Sequence, residues 1–438
     1  MSTRKLCTLL ALTILTCWRA VPSFADSQAR IVRLSQVDGD VQIDRNTGLG
    51  YEKAFLNLPV TQGTKVRAGS GARAEIELED GSTLRITPGT TVDFSELGLH
   101  SSGARSSALN LQTGTAYLNF KGGKSAQEFS LSFGRERLAL TKPAHLRVEV
   151  KDDNATLAVF NGDVEAEGSS GTVEVEKKHS ATFDLTGANP YTLANNLEPD
   201  PYDEWDKQQE KYHEQYSASA ANSYSPYAYG SSDLNYYGSY YNIPGYGMMW
   251  QPYFAGAGWD PFMNGAWAFS PGFGYAWVSG YPWGWTPYHY GSWVFLPTYG
   301  WAWLPGGSWA GWSQPRIIHP PSNFLLPQPP PNSGHGTMLV NRGPMPVQLG
   351  KSFNRLEIPN NSAGLGIPRG GIRNLNQLSH TAQQDGFATA RVHTVPAESG
   401  WSHSGYSAPA SQTGKWHGGM APSTSAGHSS SGHSSPHR

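Results

Sequence analysis

The chain has 438 residues, a formal net charge of −2 and only 15% charged residues. It contains no basic patch of the kind that a phosphate backbone requires, so we expect no nucleic-acid partner. The length allows about two or three domains, and the two cysteines provide little material for disulfides.

The N-terminus has the pattern of a secretory signal peptide, residues 1–25. Arg4 and Lys5 precede a short apolar run, and a small-x-small site predicts cleavage before Asp26. The run is too short for an ordinary membrane span, so we expect a periplasmic or extracellular protein with no span in the mature chain. Both cysteines lie inside this segment, which leaves the mature chain without disulfides or thiolate chemistry.

Residues 26–188 are predicted to form an antiparallel β domain. The sequence over 72–86 alternates apolar and charged residues on both sides of an Asp-Gly turn, which indicates a hairpin. A second hairpin is predicted over 146–160. Strands of this length and spacing favour a sandwich, a roll or a solenoid with charged outer faces.

Several segments of this domain follow one another in the order of a known family. They are 63–69, 79–82, 88–92, 109–117 and 159–164. Together they resemble a FecR-like domain over about residues 60–185, and the strand–turn–strand at 79–82 is the most specific part. The resemblance implies an extracytoplasmic β domain, and some members relay an outer-membrane signal to a sigma factor. This chain departs from those relays because it has a cleavable signal where they carry a cytoplasmic segment and a membrane span.

Residues 189–232 are predicted to be a helical connector followed by a loop. Asp200 and Pro201 suit the N-cap and the first helical position. Aromatic residues then recur at helical spacing and form one stripe, which we expect to pack against a neighbouring domain. These residues are Trp205, Tyr212 and Tyr216.

Residues 233–318 contain one pattern three times, G-x-W/Y-x-x-x-P-x-Y/F-G-x-x-W, at 238–250, 265–277 and 291–303. Each copy is predicted to be a β-hairpin, because proline and glycine suit its turn and aromatic residues suit its arms. Three such hairpins indicate a small repeat domain. The region from about 201 to 315 resembles a tryptophan-rich domain of unknown function that follows FecR-like domains in exported Gram-negative proteins.

The aromatic rings of the repeat domain have two interpretations. Eleven of the fifteen tryptophans lie between 250 and 312, and only Asp233 and Asp260 carry charge from 233 to 315. The rings either build a core without disulfides or stand on the surface as stacking platforms for a ligand. The residues selected as the candidate ligand-binding platform are Trp250, Trp267, Trp277, Trp293, Trp301 and Trp303.

Residues 319–438 are predicted to be a largely disordered tail rich in Pro, Ser, Gly and His. Eight of the fourteen histidines follow Pro320, but their spacing matches no structural metal site. We therefore predict no metal and no cofactor. The last histidines of the chain are His417, His428, His433 and His437.

No H-E-x-x-H, G-x-S-x-G, P-loop or dinucleotide pattern is present, so we expect no enzyme. The first hypothesis is an exported envelope protein whose aromatic repeat domain binds a glycan, peptidoglycan or a protein. One alternative is a FecR-type envelope signalling component with a membrane protein partner. The other is a purely structural envelope or matrix protein, which near-complete burial of the tryptophans would favour.

Overall fold

The computed structural model describes residues 30–391, apart from 101–102, 123–126, 169–170, 187–190, 218–227, 257, 310–314, 332–334, 344–347, 350–354, 360 and 386–388. The predicted signal peptide and the four last histidines lie outside the described residues.

The first part of the chain forms one connected sheet of seventeen strands. In chain order they are β1 (Val32–Asp38), β2 (Val41–Asp44), β3 (Glu52–Lys53), β4 (Pro59–Val60), β5 (Thr64–Ala68), β6 (Arg73–Glu77), β7 (Thr83–Ile86), β8 (Thr91–Leu99), β9 (Arg105–Phe120), β10 (Gln127–Phe133), β11 (Glu136–Leu140), β12 (Ala144–Lys151), β13 (Asn154–Asn161), β14 (Val164–Gly168), β15 (Gly171–Val175), β16 (Ser180–Asp184) and β17 (Tyr191–Ala194). The last strand lies beyond the predicted domain boundary at 188.

The connected sheet folds into two layers around one apolar core. One layer has the order β4-β1-β6-β7-β9-β12-β13-β16-β17. The other has the order β3-β2-β5-β8-β9-β10-β11-β14-β15. All of these pairs are antiparallel except β9–β10. The antiparallel pairing confirms the predicted fold class, and the two layers favour the sandwich or roll over a solenoid.

Strand β9 belongs to both layers and bends where it passes between them. Gly114 lies at the bend with φ of 86°, a conformation that glycine adopts without strain. A Cβ at this position would also lie 2.5 Å from the Cα of Thr90. The bend therefore requires glycine for two independent reasons.

Both predicted hairpins of the β domain are confirmed. Strands β6 and β7 pair from Ala74 with Ile86 to Glu77 with Thr83, and Asp80 closes the turn by accepting the Ser82 N–H at 2.9 Å. Strands β12 and β13 pair from Leu146 with Val159 to Lys151 with Asn154. The alternating pattern was sufficient here because each strand has one face in the core.

Four helices are described, α1 (Asp203–Ser217), α2 (Ser231–Tyr237), α3 (Thr286–His289) and α4 (Leu375–Asp385). Helix α1 is the predicted connector helix. Asp200 accepts the Tyr202 N–H at 2.8 Å, and the carboxylate of Asp203 accepts the Asp200 N–H at 2.9 Å. This reciprocal cap fixes the start of α1, and α1 then packs on the β domain as expected.

The three predicted hairpins of the repeat domain are also confirmed, and they are divided between two sheets. The first and third hairpins form a five-stranded sheet, β18-β19-β23-β22-β24, and the second pairs with a later strand, β21-β20-β25. Their strands are β18 (Gly238–Ile243), β19 (Gly247–Pro252), β20 (Asn264–Ser270), β21 (Gly274–Ser279), β22 (Tyr290–Leu296), β23 (Gly300–Trp309), β24 (Arg316–Ile318) and β25 (Met338–Asn341). A small third sheet contains β26 (Gln348–Leu349), β27 (Arg355–Glu357) and β28 (Thr389–Arg391).

The prediction of a largely disordered tail from 319 is wrong for the described part of that region. Strand β25 completes a sheet of the repeat domain, and residues 358–385 pack against its aromatic core through Ile358, Leu365 and Ile367. The composition of this segment predicts disorder, but a few separated apolar side chains are enough to order it when a preformed surface receives them. The residues after 391 lie outside the description.

The two domains share their interiors. The core of the β domain includes Ala268 and Val278 from the second hairpin, whereas most rings of the repeat domain form a second core. Among the described residues, no helix is long and apolar enough to cross a membrane.

Candidate functional site

Each repeat places its two arm aromatics directly opposite one another across the hairpin. The pairs are Tyr240 with Trp250, Trp267 with Trp277, and Trp293 with Trp303. Cross-strand aromatic pairs of this kind stabilise a sheet by up to about 1 kcal/mol each. The spacing between the aromatic positions of the motif therefore determines which residues pair across each hairpin.

The first glycine of each motif provides room for the last tryptophan. A Cβ at Gly265 would lie 2.6 Å from the Val278 carbonyl oxygen and against the Trp277 ring, and a Cβ at Gly291 would lie 2.8 Å from Trp303 Nε1. The indole thus packs on bare backbone of the opposite strand. This explains why glycine and tryptophan recur together in the sequence.

The six tryptophans selected from the sequence are all core residues. Their exposed fractions run from 0% for Trp250, Trp293 and Trp303 to 4% for Trp301. Their burial favours the core interpretation over the platform interpretation, because neighbouring rings cover them: the ring centre of Trp283 lies 4.8 Å from that of Trp250. The six are Trp250, Trp267, Trp277, Trp293, Trp301 and Trp303.

Two exposed aromatic residues of the repeats, Tyr246 and Tyr299, lie at hairpin turns, and a third, Tyr241 in β18, is 41% exposed. Tyr246 and Tyr299 occupy the Y/F position of the first and third copies and are 38% and 52% exposed. An open groove of about 480 Å³ lies beside Tyr246 and is lined by Tyr246, Phe295, Leu296, Pro297, His319, Pro320 and Pro321. The motif therefore divides into a buried tryptophan position and an exposed turn position.

A cluster of buried charges joins the β domain, helix α1 and the repeat domain. We call it the junction cluster, and Glu75 is at its centre with no exposed surface. The Glu75 carboxylate lies 2.8 Å from Arg85 Nε, 2.8 Å from Arg369 Nη1 and 3.0 Å from His213 Nε2. The members are Arg33, Glu75, Glu77, Arg85, Asp206, His213, Asp233 and Arg369.

Arg33 connects the β domain to the repeat domain. Its guanidinium lies 3.1 Å from Glu77 Oε2 and 2.7 Å from Asp233 Oδ2, and it donates to the Pro282 carbonyl at 2.7 Å. Asn57 also donates to the Ser279 carbonyl at the end of the second hairpin, at 2.9 Å, and to the Tyr281 carbonyl just after it, at 2.7 Å. These contacts fix the second hairpin on the β domain.

The charges around each carboxylate determine its protonation state. Burial by itself raises the pKa of Glu75, but the charges of His213, Arg369 and Arg85 outweigh burial and hold that pKa well below its ordinary value. The pKa of Asp233 is lowered in the same way, against burial, by Arg369 and Arg33. Burial wins at Glu77, whose pKa is raised. Glu75 and Asp233 are therefore ionised acceptors at neutral pH.

The arrangement of the junction cluster is suited to holding domains together. Its carboxylates are saturated by guanidinium and imidazole groups, which leaves no reactive side chain facing a cleft. Among the described residues, no group of three or more His, Cys, Asp or Glu side chains is placed to hold a metal ion. The cluster thus joins the β domain, helix α1 and the repeat domain.

Sequence reasoning predicted the alternation of β6 and β7 but placed their charged faces in solvent. Glu75 and Arg85 are instead fully buried under helix α1. The signal available was the polar side of α1, whose Asp206 lies 2.7 Å from Arg85 Nη1. Charge alternation alone does not distinguish a solvated face from one covered by a polar partner.

Comparison with known families agrees with this organisation. Residues 64–165 match the family described as FecR protein. The chain contains a FecR domain. Residues 231–317 match a family of unknown function, DUF6600, which corresponds to the aromatic repeats. The two-layer sheet extends beyond the FecR match on both sides.

No curated protein matches the sequence. Two crystal structures of a Parabacteroides distasonis ATCC 8503 protein assigned as an anti-sigma factor, at 1.65 Å and 2.50 Å resolution, match with 16% identity and a TM-score of 0.26. The match covers 30% of this chain and 59% of that protein, so this chain spans little more than half of its length. We draw no conclusion about function from a likeness at this TM-score.

Proposed function

We propose that the protein is an exported, non-catalytic envelope component that acts by binding a protein partner, as an envelope signalling protein does. The observation that carries the proposal is the FecR domain at residues 64–165, a type of domain that implies an extracytoplasmic role in signalling. Burial of the tryptophans argues against a sugar stacked on them, because a covered ring offers no face to a ligand. The same burial also favours the purely structural alternative, and the FecR domain is the observation that favours a protein partner over it.

The free edge of the first layer is a suitable contact for such a partner. Among the described residues, strand β17 pairs with β16 alone, so its other side is a free sheet edge within the described part of the chain. Tyr191 and Leu193 share one face of this strand and are 40% and 52% exposed. An edge strand with two exposed apolar side chains is a common site of strand addition by another protein.

Site-specific photo-crosslinking in the native cell tests this function. We expect a crosslinking residue at Tyr191 or Leu193 to give one protein adduct of defined size. Leu49 is the matched control, because it is 58% exposed and apolar but lies in a loop. Absence of any protein adduct, or equal adducts from Leu49, would refute the proposal.

A second candidate function is glycan or peptidoglycan binding through the hairpin turns. The specific observation is the exposure of Tyr246, which lines the open groove, and of Tyr299 at the turn of the third hairpin. The test is co-sedimentation of the full chain with purified peptidoglycan, where we expect the double variant Tyr246→Ala, Tyr299→Ala to bind at least about tenfold more weakly. If the unaltered protein stays in the supernatant, the glycan hypothesis fails and the protein partner stands alone.

A further inference from the structure

Residues 358–385, which we call the strap, lie outside both family matches and cross the junction of the two domains. The FecR match ends at 165 and the DUF6600 match ends at 317. The strap nevertheless reaches the centre of the junction cluster through Arg369. The surface that receives the strap is therefore formed jointly by the two matched domains and helix α1, and we call it the receiving surface.

The receiving surface contains a complete pocket for one guanidinium group. Arg369 Nε and Nη2 donate to the two oxygens of Asp233 at 2.9 Å and 2.8 Å, and Nη1 donates to Glu75 at 2.8 Å. The guanidinium carbon lies 5.3 Å from the centre of the Tyr212 ring. A bidentate carboxylate, a second carboxylate and an aromatic face are the groups that distinguish arginine from lysine.

The charge balance of the junction cluster depends on this arginine. With Arg369 in place, three arginines face the carboxylates of Glu75, Glu77, Asp206 and Asp233. Without it, two arginines and His213 would remain for four buried carboxyl groups. An empty pocket would thus hold excess buried negative charge, which is costly unless a cation enters.

The rest of the receiving surface recognises the strap through its backbone. Trp283 Nε1 donates to the Ala363 carbonyl at 2.7 Å, and the Tyr237 hydroxyl donates to the Ile367 carbonyl at 2.7 Å. The Tyr236 hydroxyl accepts the Ile372 N–H at 2.9 Å. These hydrogen bonds depend on the path of the peptide and not on its side chains.

Apolar contacts complete the surface. Leu365 and Ile367 are each 3% exposed and belong to the aromatic core of the repeat domain. A Cβ at Gly364 would lie 2.9 Å from the Tyr237 ring, so the strap approaches the rings closely there. Within a short segment of the strap, the surface therefore contacts backbone groups, two apolar side chains and one arginine.

We propose that this surface is a recognition site for an arginine-bearing peptide segment of a protein partner, and that the strap occupies it as an internal ligand. Side-chain donors for peptide carbonyls, apolar contacts and a buried arginine anchor are the elements of a peptide-binding groove. The site explains part of the aromatic density without a sugar ligand. It does not depend on the contact proposed at β17.

The test uses the full chain with a protease recognition sequence inserted between residues 350 and 351. After cleavage, a fluorescent peptide of residues 356–385 is added in excess, and its anisotropy is followed while the released fragment is measured by gel filtration. We expect saturable uptake of the peptide with release of the fragment. The Arg369→Ala peptide should bind at least about 30-fold more weakly, because it leaves buried carboxylates unpaired.

The matched control is the Arg373→Ala peptide, since Arg373 is exposed; it should bind like the unaltered peptide. A guanidinium-specific pocket also predicts that Arg369→Lys does not restore full affinity. The proposal is overturned if the cleaved protein unfolds, if no exchange occurs within a day, or if the Arg369 and Arg373 variants bind equally. Either of the first two outcomes would make the strap an integral part of the core, and the third would show that the surface does not recognise arginine.

Discussion

Replacement of Glu75 by glutamine tests the junction cluster most directly. The substitution keeps the shape and one acceptor oxygen but removes the charge that Arg85, Arg369 and His213 share. Breaking a buried ion pair by removing one partner costs about 3–5 kcal/mol. Arg85 retains Asp206 and Arg369 retains Asp233, so we expect a loss near the lower limit, about 3 kcal/mol.

The assay is urea unfolding of the full chain at pH 7, followed by tryptophan fluorescence. The matched control is Glu167→Gln, since Glu167 lies 3.6 Å from Arg137 and both side chains are about half exposed, at 53% and 52%. We expect the control to change the free energy of unfolding by no more than about 0.5 kcal/mol. A loss below about 1 kcal/mol for Glu75→Gln would refute the view that this carboxylate organises the junction.

The effect of Glu75→Gln on the free energy of unfolding should depend on pH, and the direction of this dependence follows from the lowered pKa of Glu75. The ionised carboxylate stabilises the fold fully above its ordinary pKa of 4.5, and this stabilisation is lost as the pH falls through the lower folded pKa. The difference in unfolding free energy between the unaltered protein and Glu75→Gln should therefore narrow between pH 7 and pH 3. A difference that widens in acid would contradict the assignment.

Two further predictions concern the repeat motif. Gly265→Ala would place a Cβ 2.6 Å from a backbone oxygen of the opposite strand, and in thermal unfolding it should destabilise the fold by about 1–3 kcal/mol. The control is Gly280→Ala, whose Cβ would meet nothing closer than 3.5 Å. This control should have little effect on thermal unfolding. Trp303→Phe should cost about 1 kcal/mol more than Trp293→Phe in urea unfolding, because the Trp303 ring nitrogen donates to a backbone oxygen at 2.7 Å and that of Trp293 has no acceptor among the described residues. Equal losses in that pair would show that the hydrogen bond contributes nothing.

The strands and hairpins could be predicted from the sequence because each depends on local information. The alternation around Asp80 and the threefold repeat specify a register and a turn, and the structure has both. The N-cap of α1 is also local, and Asp200 forms it. These features need no knowledge of what packs on the outer face.

The candidate site could not be predicted in the same way, because its parts are far apart in the chain. Glu75 and Arg369 are separated by 294 positions, and no spacing rule connects them. Trp250 and Tyr299 both belong to the motif, yet one is buried and the other exposed. Which aromatic position faces solvent depends on how the hairpins pack on each other and on the FecR domain.

The ionic nature of the junction has a mechanical consequence. Two apolar faces can slide past each other by a few ångströms at little cost, whereas a charged contact displaced by that distance leaves several ions desolvated and unpaired. The ion pair of Arg33 and Asp233, 2.7 Å apart across the junction, therefore fixes the position of one domain relative to the other. A force that rotates the aromatic repeats would therefore rotate the FecR domain with them, and the two domains would move as one rigid unit.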